Sequence, residues 1–146
     1  MISFNITTEN LKIGNSSDFH YYKGDYSKYN DCWIWITMKL NNEVIGIAKI
    51  GSDDRDKHLG VNFKSLWYLE ISNPHQGKGY SKLLIDFMFK YLKSNNVSFT
   101  TSSYSDMGQE RIYKQMNYYA QYHKVHFFDR DGKYTYDYVE KNYHLN

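Results

Sequence analysis

The chain has 146 residues, 41% of them hydrophobic and 23% charged, which excludes a disordered polymer and is enough for one domain with a real core. Eighteen basic against sixteen acidic residues leave a net charge of +2 with no Lys/Arg block, so electrostatics makes no case for a nucleic-acid partner. No apolar run approaches the ~20 residues that span a bilayer, no basic-then-apolar leader opens the chain, and the single cysteine, Cys32, excludes an internal disulfide or a multi-cysteine metal site.

A cytoplasmic protein of one domain, residues 1–146, with no membrane partner is therefore expected. Met1 to Glu9 reads as a first strand, with Ile2, Phe4 and Ile6 alternating against polar neighbours. Residues 10–31 are polar but rich in aromatics, and read as short helices or irregular cover. Cys32 to Leu40 and Val44 to Ile50 read as two strands joined by a hairpin turn at Asn41-Asn42-Glu43. Cys32 lies beside Trp33 and Ile34 and reads as a buried structural thiol. Residues 52–62 form a solvated loop. The near-continuous apolar run from Ser65 to Ser72 implies a central strand covered on both faces.

A helix then runs to about Lys93, with Leu83, Leu84, Phe87, Met88, Tyr91 and Leu92 as its apolar stripe. Val97 to Tyr104 reads as a strand, and Asp106 to about Met116 as a second helix with Ser105 or Asp106 at its N-cap. Tyr119 to Phe128 and Lys133 to Glu140 read as a closing hairpin over Asp129-Arg130-Asp131-Gly132. The order gives a mixed α/β fold: a central sheet of about seven strands flanked by helices. The strand–helix–strand stretch of residues 65–104 is long enough for a parallel crossover.

The chemistry concentrates between the central strand and the first long helix, in Asn73-Pro74-His75-Gln76-Gly77-Lys78-Gly79-Tyr80-Ser81. Glycines spaced Gly-x-Gly at a helix start free backbone N–H groups where the helix carries partial positive charge, a seat for phosphate. The amides of Gly77, Lys78, Gly79, Tyr80 and Ser81 are placed to face a pyrophosphate, with Lys82 adding charge. No Gly-x-x-x-x-Gly-Lys-Ser/Thr pattern occurs, so a nucleotide triphosphatase is disfavoured.

Two segments together resemble the GNAT superfamily of N-acetyltransferases. Gln76-Gly77-Lys78-Gly79-Tyr80-Ser81 fits that family's phosphate loop, and Ile71 lies five residues before Gln76, where the preceding strand should end. Serine stands at Ser81 where glycine or alanine is usual, and is small enough for close approach of helix and ligand. Tyr113-Lys114-Gln115-Met116-Asn117-Tyr118 resembles the family's Tyr-x-(Lys)-x-Gly-Phe helix ending, with Tyr118 for Phe and Asn117 read as a left-handed C-cap in place of glycine. Asp106 stands where the family often carries Asn and joins the cofactor-binding set.

The resemblance implies acetyl-CoA as the donor and a primary amine, on a small molecule or a protein lysine, as the acceptor, with direct attack in a ternary complex. It implies that the backbone of Leu69 to Ile71 receives the pantetheine arm, with the Leu69 N–H holding the developing oxyanion. Tyr113 matches the family's general acid, which protonates the departing thiolate. Glu70 is a carboxylate inside an apolar strand, costly unless paired or functional, and so is a candidate general base or a structural partner.

His75 reads as a turn residue. His123 and His126, three apart on a predicted strand, face opposite sides and give no metal site. Two other readings remain open: a non-catalytic GNAT-like module binding CoA or a protein, and a nucleobase- or RNA-modifying member in which the aromatics from Phe19 to Tyr29 stack bases. The lack of a basic stripe makes nucleic acid the least favoured partner, and a homodimer is compatible with the chain. The resemblance implies that acceptor choice falls largely to residues 10–31 and 52–62.

Overall fold

The computed structural model describes residues 1–23, 33–52, 63–101 and 107–129. In chain order these form β1 (Ile2–Thr7), two 3-10 turns (Ser16–Asp18 and His20–Tyr22), β2 (Ile34–Leu40), β3 (Glu43–Gly51) and β4 (Phe63–Ile71). A 3-10 turn (Asn73–His75), α1 (Tyr80–Ser94), β5 (Ser98–Thr101), α2 (Met107–His123) and β6 (Phe127–Asp129) follow. The six strands are hydrogen-bonded in the order of their numbers. The chain groups into two compact units, residues 1–52 with 66–84 and residues 53–65 with 85–146. Strand β4 and helix α1 each contribute residues to both. Among the described residues no helix is long and apolar enough to cross a membrane.

The first unit is antiparallel. β1 pairs with β2 from Ile2↔Leu40 to Thr7↔Trp35, and β2 pairs with β3 from Ile34↔Ile50 to Leu40↔Glu43. The hairpin between β2 and β3 turns on Asn41 and Asn42 at φ 50° and 69°. Two successive left-handed residues match the right-handed twist of the flanking strands, and asparagine tolerates them better than other non-glycine residues. The register slips between Met38 and Lys39, a bulge one turn from the hairpin end. The core gathers Phe19, Tyr21, Trp35, Val44 and Ile47, with Leu11, Ile13, Tyr22 and Tyr68 packed against it. Phe19 and Tyr21 are buried although they sit in a polar stretch, because the short 3-10 turns carry them back onto the strands.

The second unit is parallel. Phe63, Lys64 and Ser65 of β4 pair with Ser98, Phe99 and Thr100 of β5, and β5 pairs with β6 from Phe99↔Phe127 to Thr101↔Asp129. Parallel neighbours need a long crossover, and here α2 supplies the one from β5 to β6. Phe89, Phe99 and Phe127 meet in edge and stacked contacts with centroids 5.3 to 6.2 Å apart.

Three expectations are corrected. Helix α2 does not stop near Met116 but runs to His123, so Tyr119 begins no strand. Tyr113, Met116 and Ala120 are all buried, which continues the helical spacing through the segment and outweighs the β-propensity of its tyrosines. Asn117 is consequently mid-helix. The left-handed residue is Lys124 at φ 56°, where Val125 N–H donates to the Ala120 carbonyl at 2.8 Å and Lys124 N–H to Gln121 at 3.1 Å. Helix α1 ends the same way at Asn96, φ 55°. The buried face of α1 is Leu84, Ile85, Met88, Phe89 and Leu92, rotated from the predicted stripe, and Leu83 is 45% exposed. The predicted strand from Lys133 to Glu140 lies outside the described residues.

Burial, reinforced by the neighbouring Tyr21 hydroxyl, pushes the Tyr22 hydroxyl up to about 12. An unfolded tyrosine ionises near ~10, so the unfolded state loses this proton first as pH rises. The contribution is present in full below pH ~10 and is lost as pH climbs through about 12. Urea midpoints measured from pH 9 upward should fall with a slope that Tyr22→Phe makes shallower.

Candidate functional site

The site is built on the end of β4. A Cβ added to Gly46 of β3 would meet Ile71 Cδ1 at 3.0 Å, Leu84 Cδ2 at 3.3 Å and Met38 Cε at 3.3 Å. Glycine lets these side chains close over the strand, and they join the last residue of β4 to the second turn of α1. Ser72 N–H then donates to the Ile45 carbonyl at 2.8 Å. Pro74 opens the 3-10 turn that follows, where its missing N–H costs nothing.

Gln76 leaves that turn and swings its side chain back, Nε2 donating to the Ile71 carbonyl at 3.0 Å. The residue therefore ties the loop to the strand it follows. Gly77 and Gly79 adopt φ 76° and 83°, left-handed conformations strained for any side-chain-bearing residue. A Cβ at either glycine would meet nothing within 4 Å. Backbone conformation alone demands glycine there, and the space over the loop is open. Helix α1 starts at Tyr80 with no acid in its first turn, so its first N–H groups keep their positive character. Lys78 and Lys82 are exposed beside them. An exposed, glycine-turned helix start with two flanking ammonium groups and no carboxylate fits a pyrophosphate.

Beside the loop, Ser72 Oγ and His75 Nδ1 are buried with no hydrogen-bond partner among the described residues, and the His75 ring meets Tyr80 edge-on at 6.1 Å. Strand β4 runs six residues past Ser65, its last pair with β5 among the described residues, and the backbone of Leu69 to Ile71 lies on that extension.

Glu70 points to the face opposite Leu69 and Ile71. Its carboxylate accepts hydrogen bonds from His20 N–H at 2.7 Å, Tyr21 N–H at 3.1 Å and the Tyr68 hydroxyl at 2.8 Å. It is 9% exposed. The paired arrangement shows how an apolar strand tolerates a carboxylate: it caps the 3-10 turn that carries Tyr21 into the core.

In the second unit, Tyr113 on α2 is 1% exposed, with its ring 5.5 Å from Phe127. Its hydroxyl donates to the Thr101 carbonyl at the end of β5 across 3.4 Å, a long and weak bond. Asp106 and Cys32 lie outside the described residues.

The chain matches the model of the acetyltransferase (GNAT) family over residues 4–118, which takes in the loop and Tyr113. The chain belongs to the GNAT family of acetyltransferases. Comparison with curated proteins returns no match. Among solved structures, the IAA acetyltransferase from Bacillus cereus ATCC 14579 is 15% identical over 79% of this chain and 75% of its own, with a TM-score of 0.61. A Bacillus subtilis acetyltransferase in complex with CoA is 11% identical over 80% and 75%, with a TM-score of 0.62. The ribosomal-protein-S18-alanine N-acetyltransferase from Escherichia coli is 10% identical over 78% and 76%, with a TM-score of 0.56. At these identities the likeness is one of fold.

Within this GNAT fold the first unit brings together Leu69, Glu70, Ile71 and the loop from Gln76 to Lys82. Tyr113 is placed in the second unit against β5. Sequence reasoning passed over Lys49. It lies on β3, is 3% exposed, and its ammonium sits 5.2 to 5.6 Å from the ring centroids of Tyr21, Trp35 and Trp67. It also donates to the Tyr21 hydroxyl at 3.3 Å. The signal was the one that singled out Glu70, a charge inside an apolar strand.

Replacing the Glu70 carboxylate should show its anchoring role directly. Hydrogen bonds to a charged group contribute ~1.5–3 kcal/mol each, and the three are lost together. Glu70→Ala should lower the unfolding free energy by at least ~3 kcal/mol and Glu70→Gln by less, read by urea denaturation. Unchanged midpoints for both would contradict the anchor.

Proposed function

We propose that this GNAT protein is an acyl-CoA-dependent N-acetyltransferase, acting on a primary amine of a small molecule or a protein lysine by direct attack in a ternary complex. The observation that carries the reading is the loop from Gln76 to Ser81: two left-handed glycines open to solvent, leading into a helix start free of acids.

In this reading the amides of Gly77 to Ser81 hold the pyrophosphate of acetyl-CoA, with Lys78 and Lys82 adding positive charge. Gln76 acts one step back, holding the Ile71 carbonyl and so the loop's entry angle. The extension of β4 offers Leu69 and Ile71 backbone groups to the pantetheine arm, and the Leu69 N–H polarises the thioester carbonyl. Acetyl-CoA supplies the activated acetyl group.

The amine nitrogen forms the new C–N bond as the C–S bond breaks. The Tyr113 hydroxyl gives its proton to the leaving sulfur, in place of its weak bond to Thr101. Glu70, held by three donors, is the positioning residue of the Tyr21 turn. The amine's proton leaves to solvent water. Asp106 is retained in the donor-binding set. A cytoplasmic setting and one domain over residues 1–146 belong to the same proposal.

A non-catalytic CoA-binding module is the second reading. The specific observation favouring it is the depth of Tyr113, whose hydroxyl is directed at a main-chain carbonyl.

Two measurements separate these readings. Acetyl-CoA at a hundred times its Kd should add ~2.7 kcal/mol of apparent stability, visible as a raised Tm. Gly79→Ala, which forces a side chain into the left-handed region, should weaken that shift. Acetyl transfer across a panel of amines and lysine peptides should then detect an acceptor, with Tyr113→Phe lowering kcat while leaving CoA affinity within twofold (about 0.4 kcal/mol). Binding without transfer to any amine would favour the module, and no Tm shift at all would remove both.

A further inference from the structure

The second unit carries a groove unrelated to the loop. It lies between the later turns of α1 and α2, has a volume of about 970 Å³, and opens to solvent along one side. Its walls are Tyr118, Tyr119, Tyr122 and His123 from α2, and Asp86, Lys90, Lys93 and Ser94 from α1. Tyr118 and Tyr122 are 62% and 67% exposed, the most exposed aromatic side chains among the described residues. Their rings lie within 11° of parallel with centroids 6.4 Å apart. That is close to twice the ~3.4 Å rise between stacked bases.

Among the described residues that line the groove Asp86 is the only carboxylate, and it accepts a 2.7 Å hydrogen bond from His123 Nε2. Lys90 and Lys93 are exposed with no ion-pair partner among the described residues. Lys114, one turn before Tyr118, and Arg111 before it extend the exposed cations along the same helix. Burial, then Asp86 and Tyr118, raise the Tyr119 hydroxyl above the ordinary tyrosine value.

We infer that this groove binds single-stranded nucleic acid, with bases stacked on Tyr118 and Tyr122 and phosphates on Lys90, Lys93 and Lys114. Flat aromatic faces take any base, and ammonium groups without carboxylate partners take the backbone; together these are the two parts of a single-strand platform. An apolar protein surface fits poorly, since closing over the groove would bury Lys90 and Lys93 unpaired. A lone small ligand fits poorly too, because an open groove encloses little of it, whereas a strand gains from successive weak contacts. The near-neutral charge of the whole chain conceals this, because the cations are gathered on one face only after folding.

The test is fluorescence anisotropy of a labelled twelve-nucleotide oligouridylate with the full chain at low salt. Binding should weaken with salt. Bases lose a stacking face with each ring, so replacing Tyr118 and Tyr122 together by Ala should weaken binding at least tenfold (about 1.4 kcal/mol). Their joint replacement by Phe should preserve it. Lys90→Gln with Lys93→Gln should reduce the slope of log K against log salt by about 1.4, at ~0.7 per phosphate contact. All four side chains are exposed, so Tm should hold in each variant. If the alanine pair unfolds, the lysine pair and the phenylalanine pair still decide the matter. No anisotropy change at 50 mM salt would overturn the proposal. So would displacement of the oligonucleotide by CoA with the alanine pair binding normally, which would move the strand to the loop.

Discussion

Three side chains crowd the Cα of Gly46, and much of the first unit depends on that crowding. With no Cβ on β3, Ile71 and Leu84 can pack against the strand at once. One is the last residue of β4 and the other lies in the second turn of α1. Fixing both leaves eight residues, 72–79, to connect a strand end and a helix start whose positions are already decided. The left-handed turns at Gly77 and Gly79 lie within that span. An apolar contact thus sits at the root of the loop whose free amides face solvent. A side chain at Gly46 would ask the ends of all three neighbours to give by a few tenths of an ångström.

The same unit solves a second problem, that of charges inside a sheet. Glu70 and Lys49 both occupy positions that the strand pattern would assign to apolar residues. Each is accommodated by aromatic and main-chain groups of the 3-10 turn at Tyr21. Glu70 receives N–H and O–H donors, and Lys49 receives ring faces. A buried charge is costly only when it lacks such partners. Tyr21 meets Trp35, Tyr68 and Tyr22 edge-on at 5.1 Å, which joins the two charged positions into one aromatic cluster.

The early strands were legible because alternation and turn chemistry are local properties. Ile2, Phe4 and Ile6 announce β1, and Asn41-Asn42 announces the hairpin. The loop was legible for the same reason, since glycine spacing after an apolar strand has few other uses. What sequence reasoning missed was decided at long range. The tyrosines from 118 to 122 have strand propensity, yet Tyr113, Met116 and Ala120 keep them helical through burial on the far side of α2. The true helix end at Lys124 could not be read from residue type, because lysine is not a residue that marks a left-handed cap. Glu70 stood out in the sequence, but its partners at His20 and Tyr21 are fifty and forty-nine positions away. Lys49 went unnoticed although its setting was equally unusual.

The two helix caps have a further meaning. Asn96 and Lys124 each hold a left-handed conformation that glycine would adopt without strain. For a residue such as lysine that conformation costs ~1–2 kcal/mol. The fold therefore closes both helices with caps that are short of optimal, and its stability has headroom at positions outside the loop. A chain with such headroom can absorb destabilising changes elsewhere, in the segments that meet a substrate, and recover the loss by a single substitution at a helix end. The caps are in this sense a store of evolvability.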